Sequence, residues 1–271
     1  MKGKTKVMFL SVWLFLIVAL VAAVFIIGIP GGEEESIKEV MKDGVLHEIN
    51  HINFFGIDAN PGFISAVVVS LALIVLALCI RLFAIPKFKE VPGKFQNLLE
   101  MLVEFFENMA RSNSPHKTGF VGGYIFSAGV YIFFSTLFEL FGFQAITTSG
   151  KSIALPAPIA DINAAIAMGV LSYLIILGCG IISGGFKGAL GVLKDFSLPI
   201  SMSFRLFGAL LSGLLVTELV YYYTLTSFVL PVIVGVLFTL LHAIIQTYVL
   251  ATLVSVFYGE AAEPKKKKVE G

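Results

Sequence analysis

The sequence predicts an all-α integral membrane protein with about six membrane helices. Three observations carry this. Of the 271 residues, 57% are hydrophobic and 14% charged, where an ordinary soluble domain has about a quarter charged. Apolar stretches of about twenty residues recur, the length that crosses a bilayer as helix. Lysine and arginine are also segregated. With both ends in the cytoplasm, residues 1–6, 81–118, 185–198 and 265–268 hold 15 of the 19 basic residues, and the outer segments 30–61 and 144–161 hold 3. Cytoplasmic loops collect such residues. The one left over is Arg205.

The same composition excludes other classes. No His/Cys cluster has metal-ligand spacing, and no phosphate-binding glycine loop or nucleophile elbow occurs. Cys79 and Cys179 lie within apolar helices as small hydrophobes. No cofactor, metal or nucleic-acid partner is expected.

In chain order, residues 1–30 read as an N-terminal membrane helix, Val7 to Ile29, following Lys2, Lys4 and Lys6. The run is longer than a signal-peptide core, so retention is expected. Cleavage would leave five passes and an outer N-terminus. Residues 31–61 form an acidic external segment with a short amphipathic helix over Ile37 to Ile49. His47 and His51, four apart, read as a solvated face rather than a metal site. Residues 62–258 form the membrane domain. Gly62 to Ala84 is the second span, and Pro86 to Pro92 a basic turn. Phe95 to Met109 is an amphipathic helix with Leu98, Leu99, Leu102, Phe105, Phe106 and Met109 on one face, at the membrane surface or packed beside it. Phe120 to Phe143 is the third span, Thr147 to Pro158 a polar loop, and Ile162 to Ile182 the fourth span. Gly184, Gly185, Gly188 and Gly191 make a turn. Pro199 to Tyr223 and Pro231 to Tyr258 are long closing helices. The last would measure about 42 Å, against a hydrocarbon core of about 30 Å, so both should tilt. Residues 259–271 are a basic cytoplasmic tail.

The ionisable groups at or near membrane depth are Glu139, Asp161, Arg205, Glu218 and His242. A guanidinium at depth costs about 3 kcal/mol on insertion scales and keeps its charge, which points to a task for it. One arginine with separated proton-accepting groups suits an ion pathway rather than hydrolysis. At about 100° per residue, Glu218 lies roughly 220° around the helix from Arg205. Arg205 shares its face with Ser212 and Val216, flanked by Gly208, a smooth strip for a partner helix. His242 and Gln246 share a face of the last helix. They either satisfy each other between helices or handle ions directly.

Four blocks carry a family resemblance. Ser203-Phe204-Arg205-Leu206-Phe207-Gly208 resembles the arginine motif of subunit a of F-type ATP synthases. Gln246-Thr247-Tyr248-Val249-Leu250-Ala251-Thr252-Leu253 resembles its glutamine-containing last helix. Val91-Pro92-Gly93-Lys94-Phe95-Gln96 is similar to a stretch after an early membrane helix, and Ala160-Asp161-Ile162-Asn163 to the opening of a middle one. All four lie in family order.

The resemblance implies an ion-translocating, itself non-catalytic stator subunit in a bacterial cell membrane, with its C-terminus in the cytoplasm. Its partners would be the rotor c-ring, the subunit b stalk, lipid, and translocated H+ or Na+. The last two helices would form a hairpin against the ring. Arg205 would face the ring carboxylates and separate two half-channels, with Gln246 beside it. Glu139, Asp161 and Asn163 would line the outer entry, and Glu218 would serve the outer half-channel.

The chain departs from the family pattern at Ala209, where asparagine is common, at Leu214, where an acid is, and at Thr239, where histidine or an acid is. If Arg205 lies opposite Gln246, then His242 lies opposite Ala209 and Glu218 opposite Ile233. Glu218 and His242 are then on the order of 13 Å apart along the axis, too far to hydrogen-bond. A secondary transporter should show internal repeats or paired broken helices, and an intramembrane enzyme a nucleophile–base pair. Neither signal is visible.

Overall fold

The computed structural model describes residues 52–54, 57–116, 118–146, 148, 152–222 and 230–263. The expected N-terminal helix, the helix over 37–49 with His47 and His51, and the lysine tail lie outside these residues.

Two antiparallel hairpins and six helices are described. Strand β1 (Ile52–Phe54) pairs with β2 (Ile57–Ala59), Ile52 opposite Ala59. Strand β3 (Gln144–Ile146) pairs with β4 (Ser152–Ala154), Gln144 opposite Ala154. The helices are α1 (Pro61–Cys79), α2 (Lys94–Asn113), α3 (Thr118–Phe138), α4 (Ile162–Leu193), α5 (Ser197–Tyr222) and α6 (Leu230–Ala262). The main core joins α2 to α6 around Phe106, Ile125, Ile132, Ile176, Leu206 and Val254. A second cluster, Ile52, Ile64, Val69, Phe138 and Leu155, holds the hairpins to the start of α1 and the end of α3. Both hairpins therefore cap one end of the bundle.

Four stretches among the described residues are long and apolar enough to cross a membrane: Pro61–Lys87, Thr118–Phe141, Ile162–Leu193 and Gly235–Ala262. Helix α5 is not among them, although it runs for 26 residues. It starts at Ser197 rather than at Pro199, because a proline is tolerated within the first helical turn. The 33 residues of α6 make it about 50 Å long.

Helix α1 is started by Asn60, whose side chain accepts from the Gly62 N–H (2.8 Å), and by Pro61 in the first turn. Only its first half is buried. Beyond Val69 it presents Leu71, Ile74, Val75 and Leu78 outward, as a lipid-facing helix must. It relaxes through a π turn, Ile80–Ala84, and a 3-10 turn, Ile85–Lys87.

The basic turn that follows is clamped by Gln96. Its Oε1 accepts from the Lys89 N–H (3.0 Å), and its Nε2 donates to the Lys89 carbonyl (2.8 Å) and to Glu100 Oε1 (2.8 Å). Gln96→Leu strips both Lys89 backbone groups of their partner, a cost of about 1–3 kcal/mol. The expected outcome is local opening of residues 88–94, read as roughly tenfold faster trypsin cleavage there in inside-out vesicles.

Helix α2 buries Phe106 and Ala110 against its neighbours and leaves Phe95, Leu98, Met101, Leu102 and Phe105 exposed. The expected apolar face is thus split between protein and surroundings. Its end is tied to α6: Asn113 Nδ2 donates to Ser255 Oγ (2.9 Å) and Ser114 Oγ to the Ser255 carbonyl (2.6 Å).

Helix α4 is longer than the expected span because it contains a reversal. Gly185 has φ 57°, open to glycine and strained for other residues. Tyr173 OH donates to the Val192 carbonyl at 3.3 Å, a separation that one continuous helix would stretch to about 28 Å. A Cβ on Gly188 would collide with the Gly180 carbonyl. The residues after Gly185 therefore fold back along the first limb, and α5 begins alongside α4 instead of beyond it.

Candidate functional site

One group of candidate residues, Glu139, Asp161 and Asn163, sits where the hairpins cap the bundle. Glu139 opens the 3-10 turn Glu139–Phe141 that ends α3, and it is half-buried. Asp161 is the N-cap of α4. Its Oδ1 accepts from the Asn163 backbone N–H at 2.7 Å, which satisfies one of the orphan donors of a helix start. The Asn163 side chain is exposed. A Cβ on Gly62 would lie 2.9 Å from the Asp161 Cβ, so the first turn of α1 rests on Asp161. The capped starts of α1 and α4 are thereby side by side.

Arg205 lies on α5 beside its buried face. Met202, Ser203 and Leu206 are buried, while Phe204, Arg205, Gly208 and Ser212 are exposed. The buried face meets α4 closely. A Cβ on Gly169 would collide with Ser203 Oγ and lie 2.9 Å from the Pro199 carbonyl. Glycine here is a requirement of the crossing, and it fixes where the arginine helix passes. Arg205 makes no ion pair or hydrogen bond with any described residue.

Two polar contacts give the depth of that crossing. Tyr124 OH lies 2.8 Å from Ser172 Oγ, setting α3 against α4. Thr247 Oγ1 donates to the Gly129 carbonyl at 3.2 Å, setting α3 against α6. In antiparallel register, Gly169 is level with Ser127 on α3 and with Val249 on α6. Gln246 is then within about one turn of the level at which Ser203 touches α4. That level is about 13 Å from the Thr118 end of α3 and about 10 Å from the Ile162 end of α4. Arg205 and Gln246 thus share a depth well inside the bundle. Gln246 is buried, between Ala243 and Leu250, and does not bond to Arg205.

His242 is turned onto its own helix. Its Nδ1 lies 2.9 Å from the Phe238 carbonyl and its ring stacks on Phe238 at 5.7 Å. Residue 218 falls on α5, and its side chain lies outside the described residues, so the expected separation of Glu218 from His242 lies there too. Three polar features escaped the reading of the sequence: the Gln96 clamp, the Tyr124–Ser172 bridge, and Ser135, fully buried on α3. Gln96 had a visible signal as the last residue of the Val91–Gln96 block, and Ser135 in its place four residues before Glu139.

Among known families, a model described as ATP synthase A chain matches residues 64–259. The chain belongs to this family. It is therefore a multi-pass membrane subunit of the Fo sector of F-type ATP synthase, subunit a, and its general role is ion translocation within that complex. The matched residues run from the fourth residue of α1 to near the end of α6, and so take in both the group at the capped end and the Arg205–Gln246 level.

Proposed function

We propose that this chain is the stator-side ion channel, in which Arg205 meets the carboxylates of the rotor c-ring and separates two half-channels. The observation that carries the reading is a guanidinium on an exposed helix face, well inside the bundle, without a partner among the described residues. Such a charge is costly in hydrocarbon and asks for an acid on a neighbouring chain. A rotor carboxylate in its ionised form supplies one. It is held while charged and leaves once it has itself taken up an ion from the adjoining half-channel. The guanidinium does not itself lose its proton, so it passes no ion and blocks a direct leak.

The strip around Arg205, with Gly208 and Ser212, lets a rotor helix approach closely. Beside it, α6 offers an exposed aliphatic stripe, Ile233, Leu237, Leu241 and Ile244, on which a moving helix slides without specific bonds. Helices α5 and α6 form the tilted hairpin that faces the ring, and Gln246 supports Arg205 from the bundle side. Glu139, Asp161 and Asn163 line the outer entry, joined by Glu218, with His242 close to Ala209 on the neighbouring helix. The translocated ion is H+ or Na+. The chain carries no catalytic site of its own, since ATP chemistry belongs to the rest of the complex, and subunit b anchors it to the stator.

This reading includes six passes with residues 1–30 retained, an external acidic segment at 31–61, the membrane domain at 62–258, and the tail at 259–271 in the cytoplasm of a bacterial cell.

The entry carboxylates are tested by substitutions that separate charge from fold. Asparagine caps a helix about as well as aspartate. Asp161→Asn therefore removes the charge and keeps α4 intact, while Asp161→Ala also removes the cap at about 1 kcal/mol. At limiting ion concentration, Asp161→Asn and Glu139→Gln are expected to slow ion uptake severalfold without uncoupling. Unchanged flux in both variants contradicts the outer path.

A further inference from the structure

Ser135 lies on α3 one turn inward of Glu139. Among the described residues, its Oγ is the one buried side-chain oxygen or nitrogen with no hydrogen-bond partner. Other helical hydroxyls of this chain behave differently. Ser127 donates to the Gly123 carbonyl (2.9 Å), Thr136 to Ile132 (2.8 Å), Ser172 to Met168 (2.8 Å) and Ser203 to Pro199 (2.7 Å). That bond to the carbonyl four residues back is the usual recourse of a helical hydroxyl. Ser135 does not use it, although its neighbour Thr136 does. A buried hydroxyl left unpaired costs about 1–3 kcal/mol, and buried polar groups without a protein partner typically hold ordered water.

The location gives this a meaning. In the register set by Tyr124 and Ser172, Ser135 is level with Asp161, the cap of α4. Along α3, Glu139, Ser135, Tyr131 and Ser127 follow at intervals of four, neighbours on a helix surface. The line begins at the hairpin-capped end and reaches Ser127, which is level with Gly169, where the arginine helix crosses. On a helix otherwise lined by Ile125, Ala128, Ile132 and Phe138, Ser135 is the buried oxygen of this line, flanked by the half-buried Glu139 and Tyr131, while Ser127 is exposed with its hydroxyl bonded to the Gly123 carbonyl.

We propose that Ser135 binds a water molecule and is the first step inward from Glu139 on the outer entry path. This rests on the reading of Glu139 and Asp161 as that entry. The serine hydroxyl donates to and accepts from water, and so hands ions from the carboxylate level toward the depth of Arg205. Ser135 is a positioning residue for solvent and carries no charge itself.

The test uses the assembled complex in vesicles, with Cys79 and Cys179 replaced by alanine. Ser135→Cys is compared with Thr136→Cys, a position equally buried whose hydroxyl is already bonded to the Ile132 carbonyl. Ag+ is added from the outer side, and the remaining free thiol is counted by maleimide after denaturation. Ser135→Cys is expected to be blocked about tenfold faster or more, because water-borne Ag+ reaches a wetted site and not a dry one. Equal rates overturn the water site. In parallel, Ser135→Ala should slow ion uptake from the outer side severalfold at limiting ion concentration, and Ser135→Thr should restore it. Full uptake in Ser135→Ala overturns the handover role, since a merely packed serine tolerates alanine. The thiol readout needs no ion flux. Fast blocking together with full flux in Glu139→Gln and Asp161→Asn would therefore remove the entry-path reading, and the handover with it, leaving Ser135 a water site only. Slow blocking with impaired flux in those variants removes only the present proposal.

Discussion

Arg205→Ala is expected to bring ion-driven ATP synthesis in the assembled complex to background, because no other described residue at that level carries a fixed positive charge. The chain should still insert and assemble, because Arg205 has no bond to lose among the described residues and its helix is held through Met202, Ser203 and Leu206, which are buried. Arg205→Lys should fail nearly as badly. An ammonium lacks the planar fork and sheds its proton readily when desolvated. The measurement is synthesis under an imposed ion gradient, with passive leak read in parallel. A leak that rises in Arg205→Ala while synthesis vanishes is the expected signature of a lost barrier between half-channels.

The second large effect comes from two glycines of opposite surroundings. Gly169 receives α5 so closely that an added Cβ would meet Ser203 and the Pro199 backbone, whereas nothing lies within 4 Å of a Cβ on Gly208. Gly169→Leu should push the arginine helix off α4. It should destabilise the isolated chain by about 1–3 kcal/mol, as overpacking does, and cut coupled synthesis at least tenfold. Gly208→Leu should leave the isolated chain as stable as its parent and still cut coupled synthesis strongly, because the bulk falls on the face offered to the rotor. Thermal unfolding of the purified chain in detergent, set beside synthesis by the complex, separates the two. Equal unfolding temperatures for Gly169→Leu and its parent would mean that the crossing does not fix the position of Arg205.

The membrane class and the order of the helices were legible because apolar length and charge segregation are local properties of the chain. The motif residues were legible too, since arginine at depth is rare enough to stand out. Tertiary contacts were not. The run of glycines around 184–191 marked a turn, but only the contact of Gly180 with Gly188 shows that the chain doubles back along α4. The loop read over Thr147 to Pro158 contains the strand Ser152–Ala154, which pairs with Gln144–Ile146 just before it; both strands are too short to declare themselves by alternation. Asp161 stood out as an intramembrane acid, and its bond to the Asn163 N–H shows that it also starts a helix. In α2 the spacing revealed an apolar face, but periodicity cannot tell a face turned to protein from one turned to lipid. Phe106 is buried against the chain's own helices and Leu98 is exposed. His242 stood out as a channel or interhelical group, and the structure adds a contact that spacing does not show: Nδ1 lies 2.9 Å from the Phe238 carbonyl.

The central claim is that the exposed face of α5 carrying Arg205, Gly208 and Ser212 meets the rotor. Disulfide trapping tests it most directly. A cysteine beside the intramembrane carboxylate of the c subunit is paired in turn with Ser212→Cys and with Met202→Cys, the latter on the face buried against the chain's own helices. Disulfides need Cα atoms within about 7 Å. The account predicts rapid cross-linking of Ser212→Cys to the rotor, loss of rotation-coupled synthesis on oxidation, recovery on reduction, and no cross-link from Met202→Cys. Cross-linking from Met202→Cys with none from Ser212→Cys would contradict it.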